Sequence, residues 1–143
     1  MYKRFTLSNK NKQKLLKQLK EFLKKKKEIQ FAYLFGSFKE ENTFRDIDVA
    51  VYLTHLKDSA IDYELELEVL LQNKFNYPFD VRILNRAPLS FCYEVIKSGI
   101  LLFSSNDEIR AEFEEYVILM YLDFAYYQKN YLYEVLGLEI QPK

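Results

Sequence analysis

A glycine-serine pair and two nearby carboxylates are the residues of this chain best suited to chemistry. Gly36 and Ser37 end one apolar stretch, and Asp46 and Asp48 stand at the start of the next. Glycine lets the backbone approach a phosphate closely, and serine adds a hydroxyl and an N–H group. Paired carboxylates suit a hard divalent cation. These residue types predict a site that holds a nucleoside triphosphate through Mg²⁺.

A third carboxylate, Asp80, joins the site if residues 47–53 and 79–84 are strands. Side chains alternate between the two faces of a strand, so Asp46 and Asp48 point away from the apolar face, with α-carbons roughly 6.6 Å apart at about 3.3 Å per residue. Asp80 then lies on the same side of the sheet. Three close carboxylates repel one another unless a cation neutralises them, and ligation by oxygen alone favours Mg²⁺ or Mn²⁺.

The chemistry that such a site predicts is nucleotidyl transfer with loss of pyrophosphate. A metal ion on Asp46 and Asp48 would stabilise charge at the α-phosphorus, and Asp80 would complete a second metal site or accept a proton. The structural alternatives are polar strand ends for the first two residues and a plain ion pair with Arg82 for Asp80.

Composition indicates one domain, residues 1–143, with a substantial core. The chain is 49% hydrophobic and 17% aromatic, with only 3 Gly and 3 Pro, which argues against disorder. We expect neither a membrane span nor a secretion signal. One cysteine, Cys92, excludes an internal disulfide and fits a reducing cytoplasm, and with a single histidine, His55, it disfavours a zinc site.

Positive charge is concentrated at the N-terminus. Residues 1–30 carry 11 Lys or Arg against 2 Glu, whereas the whole chain has no net charge. The basic N-terminal helix region, residues 1–28, contains an amphipathic helix at 8–27 with Ser8 as its N-cap. Its lysines either solvate one face or steer an anionic ligand or acidic partner. Phe22 is the one aromatic residue among the lysines of this helix and no arginine lies between them, so direct nucleic-acid binding is not expected.

The remaining elements alternate along the chain and predict a layered α/β or α+β domain. Strands are predicted at 29–35, 47–53, 79–84 and 100–103, and helices at 61–75, 88–98 and 107–136. The last helix carries an apolar stripe of Ile109, Phe113, Val117, Met120 and Phe124. Its five crowded tyrosines exceed what one buried stripe holds, so the helix is either core or a docking surface for a second chain. These five are Tyr121, Tyr126, Tyr127, Tyr131 and Tyr133.

The segment 34–53, a Gly-Ser pair, a loop and Asp-x-Asp on a strand, resembles the signature of minimal nucleotidyltransferases of the DNA polymerase β superfamily. Segments 80–88, 93–96, 99–103, 110–114 and 121–124 resemble one branch, the MntA-type adenylyltransferase antitoxins that pair with a HEPN-domain toxin. The resemblance covers about residues 30–136.

This resemblance implies a polymerase-β-like fold, a small mixed sheet flanked by helices with a long C-terminal helix. It implies a Mg²⁺-dependent (or Mn²⁺-dependent) enzyme that transfers AMP from ATP to a tyrosine of the cognate HEPN RNase toxin and so neutralises it. Gly36 and Ser37 match the phosphate-binding turn, and Asp46, Asp48 and Asp80 match the catalytic, metal-binding carboxylates.

The loop between Ser37 and Asp46 departs from the family pattern. It has eight residues and no glycine, where the family loop is usually longer and contains one, and Arg45 stands where a small polar residue is usual. Two alternatives therefore stay open. One is nucleotide transfer to a small molecule, and the other is an antitoxin of weak activity that blocks its toxin by binding.

Overall fold

A computed structural model describes residues 3–56 and 59–137 of the chain. Helices and strands alternate along these residues. They are β1 (Phe5–Thr6), α1 (Asn9–Lys24), β2 (Ile29–Phe35), α2 (Ser37–Glu40), β3 (Thr43–Phe44), β4 (Ile47–Leu53), α3 (Ala60–Phe75), β5 (Phe79–Ile83), α4 (Leu89–Ser98), β6 (Ile100–Ser104) and α5 (Asp107–Leu136).

Four strands form a mixed sheet in the order β5-β4-β2-β6. Strand β2 is antiparallel to β4 and β6, whereas β4 and β5 are parallel. The parallel register places Asp48 directly beside Asp80. Strands β1 and β3 form a separate antiparallel pair. The mixed sheet with flanking helices that the sequence resemblance implies is therefore confirmed.

The two faces of the mixed sheet are covered differently. The core face carries the odd-numbered side chains of β4 and packs against α1 and α3 in the larger buried cluster, which includes Leu19, Leu23 and Leu71. The site face carries Asp48, Ala50 and Tyr52, and only a small buried cluster under α4 and α5 covers it. Alternation along each strand is what separates apolar residues from acids in this way.

Most element bounds agree with the sequence prediction. Strands 29–35 and 47–53 and helix 107–136 have the bounds expected, and the Ser8 hydroxyl accepts a hydrogen bond of 3.3 Å from the Asn11 N–H as an N-cap. Helix α1 is shorter than predicted and ends at Lys24. Pro88 is the residue before α4 rather than its first helical residue.

Two features of the packing were not predicted. One is the pair of short strands β1 and β3. The other is that the apolar stripe of α5 does not stay buried along its length, since Met120 and Phe124 are 41% and 58% exposed. The reason is length, since α5 has 30 residues and the α4 helix beside it has 10, so α5 continues beyond its packing partner. The prediction of a single domain over 1–143 stays a prediction.

None of the helices in residues 3–56 and 59–137 combines the length and apolar character needed to cross a membrane.

Candidate active site

The glycine-serine turn lies directly against the second aspartate. Gly36 follows β2 with a φ of +79°, a conformation that side chains other than glycine rarely adopt. A Cβ atom built at Gly36 would lie 1.9 Å from Oδ2 of Asp48. Both the backbone conformation and this close approach require glycine. The turn and the carboxylate are therefore parts of one site.

The three predicted carboxylates meet at the start of β4. Asp48 is half-buried, Asp80 is its neighbour in register on β5, and Asp46 precedes it by two residues. Burial raises the pKa of Asp48 to about 7, with further increases from the charges of Asp46 and Asp80 and from a hydrogen bond with Asp80. Arg82 acts in the opposite direction. The site is therefore a local concentration of negative charge beside the turn.

Asp80 also forms the ion pair that the sequence left open. Its Oδ1 lies 3.3 Å from Nε of Arg82, and both side chains are substantially exposed. An exposed pair of this kind contributes at most about 1 kcal/mol. The pairing is thus weak enough for Asp80 to turn toward a cation and for Arg82 to turn toward a phosphate.

The donor chemistry of this site fits Mg²⁺ or Mn²⁺, which prefer carboxylate oxygens. In the part of the chain that the structure describes, no group of three His, Cys, Asp or Glu side chains is arranged to hold a metal ion as the side chains stand. Asp80 would have to leave Arg82 to complete such a group. The metal-binding roles of Asp46, Asp48 and Asp80 stay predictions.

Two lysines that sequence reasoning did not assign to the site hold α2, the helix that begins at Ser37. Lys39 donates a hydrogen bond to the Ser98 carbonyl at the end of α4 and pairs with the Glu40 carboxylate at 3.1 Å. Lys12 of α1 donates to the Glu41 carbonyl at 2.8 Å. A signal for Lys12 was present, because its position continues the apolar stripe of α1.

Comparison with protein families identifies the class of this fold and site. The sequence model of the family described as "Polymerase beta, Nucleotidyltransferase" matches residues 17–108, a span that contains the turn and all three aspartates. The chain belongs to the polymerase β nucleotidyltransferase family, as its sequence indicated, and this membership supports a transferase. A comparison with curated proteins gives no match.

Solved structures of toxin–antitoxin complexes contain chains similar to this one. One, the tri-AMPylated Shewanella oneidensis HEPN toxin with MNT antitoxin, is 23% identical with a TM-score of 0.67, over 87% of this chain and 98% of that chain. An MntA–HepT complex is 23% identical with a TM-score of 0.66, over the same shares of 87% and 98%. A toxin–antitoxin structure with AMP-PNP is 26% identical with a TM-score of 0.64, over 90% and 99%. These similarities confirm the predicted fold and come from the branch that the sequence resembles.

Proposed function

We propose that this protein is an antitoxin adenylyltransferase that transfers AMP from ATP to a tyrosine of a cognate HEPN-domain RNase toxin and so neutralises it. The observation that carries the proposal is the close approach of Gly36 to Asp48, a carboxylate whose pKa is raised by Asp46 and Asp80 nearby. This geometry supports a phosphate-binding role for the turn. Membership of the nucleotidyltransferase family supports the reaction class. The similar structures with AMP-PNP and with a tri-AMPylated toxin support ATP as substrate and a toxin as acceptor.

In the proposed reaction the acceptor oxygen forms a bond to the α-phosphorus of ATP, and the bond from that phosphorus to the bridging oxygen breaks. Pyrophosphate leaves, and the proton of the acceptor hydroxyl passes to a carboxylate, a role that we assign to Asp80. The N–H and hydroxyl of Ser37 would bind the triphosphate, and Gly36 permits its close approach. Mg²⁺ or Mn²⁺ held by Asp46 and Asp48 would neutralise the phosphate charge when bound.

A protein acceptor is supported by residues 119–136 of α5, which we call the α5 surface. Its exposed large apolar side chains are Leu119, Met120, Leu122, Phe124, Tyr126, Tyr127, Tyr131, Tyr133, Val135 and Leu136. A groove of about 600 Å³ between the start of α4 and α5 continues this surface on the site face. Exposed aromatic residues in such number are typical of partner surfaces. We propose that the toxin binds there.

The test uses ATP labelled at the α-phosphate, Mg²⁺ and a candidate cognate HEPN-domain toxin. We expect the label on a toxin tyrosine and a matching loss of its RNase activity. A toxin in which each exposed tyrosine is replaced by Phe is the control and should stay unlabelled. Stable complex formation without transfer would contradict the enzymatic proposal and favour an antitoxin that acts by binding, the alternative that the short loop leaves open.

A further inference from the structure

Lys12 is the buried charged residue of the described chain, and its burial needs a cause. Its side chain is 7% exposed, and it lies on α1 one turn before Leu15 in the stripe that faces the core. Burying an ammonium group costs free energy unless hydrogen bonds compensate. Burial lowers the pKa of Lys12, and the negative charge of Glu41 opposes that change.

The compensating contacts of Lys12 all lie on α2 and its C-cap. The ammonium group donates to the Glu41 carbonyl at 2.8 Å and lies 4.7 Å from the ring centroid of Phe38. Glu41 in turn closes α2, because its N–H donates to the Ser37 carbonyl at 2.9 Å. Lys12 therefore binds the C-terminal end of α2, the single helical turn that starts at Ser37.

Residues before Lys12 contact the same loop. Phe5 and Thr6 pair with Phe44 and Thr43 as β1 and β3, and the Leu7 N–H donates to the Asn42 carbonyl at 3.0 Å. The ring of Phe44 then contacts that of Phe38 at 4.5 Å between centroids. Residues 5–12, which we call the N-terminal clamp, thus contact the loop 38–45 along most of its length.

We infer that the N-terminal clamp, with Lys12 at its centre, is a positioning element that holds the glycine-serine turn in the geometry that binds a nucleoside triphosphate. The clamp precedes residue 17, where the match to the family begins, so it lies outside the shared sequence pattern. The inference rests on the proposed function for the kind of ligand, while its effect on the loop is measurable without any acceptor.

Physical reasons favour an external support for this turn. A single helical turn is unstable alone, because nucleation fixes several residues for few hydrogen bonds. A cation beside the C-terminal end of α2 complements its dipole and gives the Glu41 carbonyl a hydrogen-bond donor. Removing the ammonium group should loosen α2 and weaken triphosphate binding, while Asp46 and Asp48 stay in place on β4.

The experiment compares Lys12→Met with Lys12→Arg, which keeps a donor and a positive charge, and with Lys14→Met, an exposed lysine of the same helix. Binding of AMP-PNP with Mg²⁺ is measured by calorimetry, and amide hydrogen exchange is followed at residues 36–45. For Lys12→Met we expect about 10-fold weaker binding, the size expected on losing a hydrogen bond to a charged group, and faster exchange confined to that loop. Lys12→Arg should recover most of the affinity, and Lys14→Met should match the parent protein.

A second variant, Phe5→Ala, tests the clamp without touching Lys12 and should give the same local increase in exchange. Unchanged binding and exchange in both clamp variants would overturn the inference. Faster exchange throughout β2 and β4 in both would also overturn it, because the clamp would then be ordinary core packing. So would a parent protein that fails to bind AMP-PNP. If both clamp variants show the expected weaker binding and faster exchange but no toxin is labelled, the proposal of a toxin acceptor fails and the inference about the N-terminal clamp remains supported. In an active enzyme, Lys12→Met should raise the KM for ATP more than it lowers kcat.

Discussion

The two faces of strand β4 differ in chemistry, since one buries apolar side chains and the other carries carboxylates. On the core face, Ile47, Val49, Val51 and Leu53 are buried against α1 and α3. On the site face, the same strand presents Asp48, half-buried beside two other carboxylates. The core face stabilises the fold through apolar burial, whereas the site face holds like charges together at a cost in stability. Burial on the core face therefore offsets the repulsion between the carboxylates on the site face, as a site with the function proposed above requires.

The largest effect is expected from removing charge on the site face. The double variant Asp46→Asn, Asp48→Asn should lower the rate of AMP transfer by more than about 100-fold. Loss of residues that only hydrogen-bond to metal ligands typically lowers activity by about 10–100-fold, and loss of the ligands themselves should cost more. The melting temperature should stay the same or rise, because like charges are removed.

Transfer is measured with labelled ATP, and Glu66→Gln, an exposed acid on α3, is the control. Substantial transfer by the double variant would show that these carboxylates are not the metal ligands.

The core face should respond in the opposite way. Leu19→Ala should lower the free energy of unfolding by about 2–5 kcal/mol, because it leaves a cavity in a packed cluster. The matched control is Leu119→Ala on α5, where the side chain is 52% exposed rather than 0%, and its effect should stay within about 0.5 kcal/mol. Denaturant unfolding measures both. Equal losses would mean that α5 is packed in solution and would remove the contrast between the faces.

A third effect concerns the α5 surface that continues the site face. Tyr126 and Tyr127 contact each other edge to face with centroids 5.8 Å apart, and both are exposed. Replacing both with Glu should weaken toxin binding by about 10-fold or more, as loss of aromatic contacts does at interfaces. The melting temperature should not change. Ile61→Glu, an exposed apolar residue on α3, is the control. Unaltered binding by the tyrosine variant would place the toxin elsewhere.

The sequence predicted best what periodicity encodes. The bounds of β2, β4 and α5 were anticipated from a continuous apolar run, from alternation with period two and from helical spacing, respectively. The approach of Asp48 to Asp80 followed from the same alternation once both segments were strands. The positive φ of Gly36 and its contact with Asp48 give a physical reason for glycine at the turn.

The parts that were missed depend on contacts between distant segments. Strands β1 and β3 have two residues each, too few for a period, and pair across 37 positions, as Thr6 and Thr43 show. Lys12 is one of many lysines on α1, and only its position in the apolar stripe distinguishes it. The exposure of Phe124 depends on where α4 begins, which the pattern within α5 does not contain.

A pH dependence of stability is expected from the site face alone. The pKa of Asp48 is about 7 in the folded protein against an ordinary 3.8, so between these values the folded chain keeps a proton that the unfolded chain has lost. The free energy of unfolding must therefore fall as pH rises from about 4 to about 7, and the loss is complete above pH 7. Asp48→Asn cannot lose this proton. The difference in free energy of unfolding between Asp48→Asn and the parent protein should grow in favour of the variant from about pH 4 to about pH 7 and then stay constant.

Mg²⁺ should restore the stability that the site face loses when Asp48 is deprotonated, and it should have no such effect through the core face. The cation binds the deprotonated site of the folded chain, so it should raise the melting temperature more at pH 8 than at pH 6. Asp62→Asn, an exposed acid on α3, should behave like the parent protein in both measurements. Parallel pH curves for Asp48→Asn and the parent, or equal Mg²⁺ effects at both pH values, would contradict the assignment. Such a result would mean that a bound cation does not relieve the repulsion between the three carboxylates.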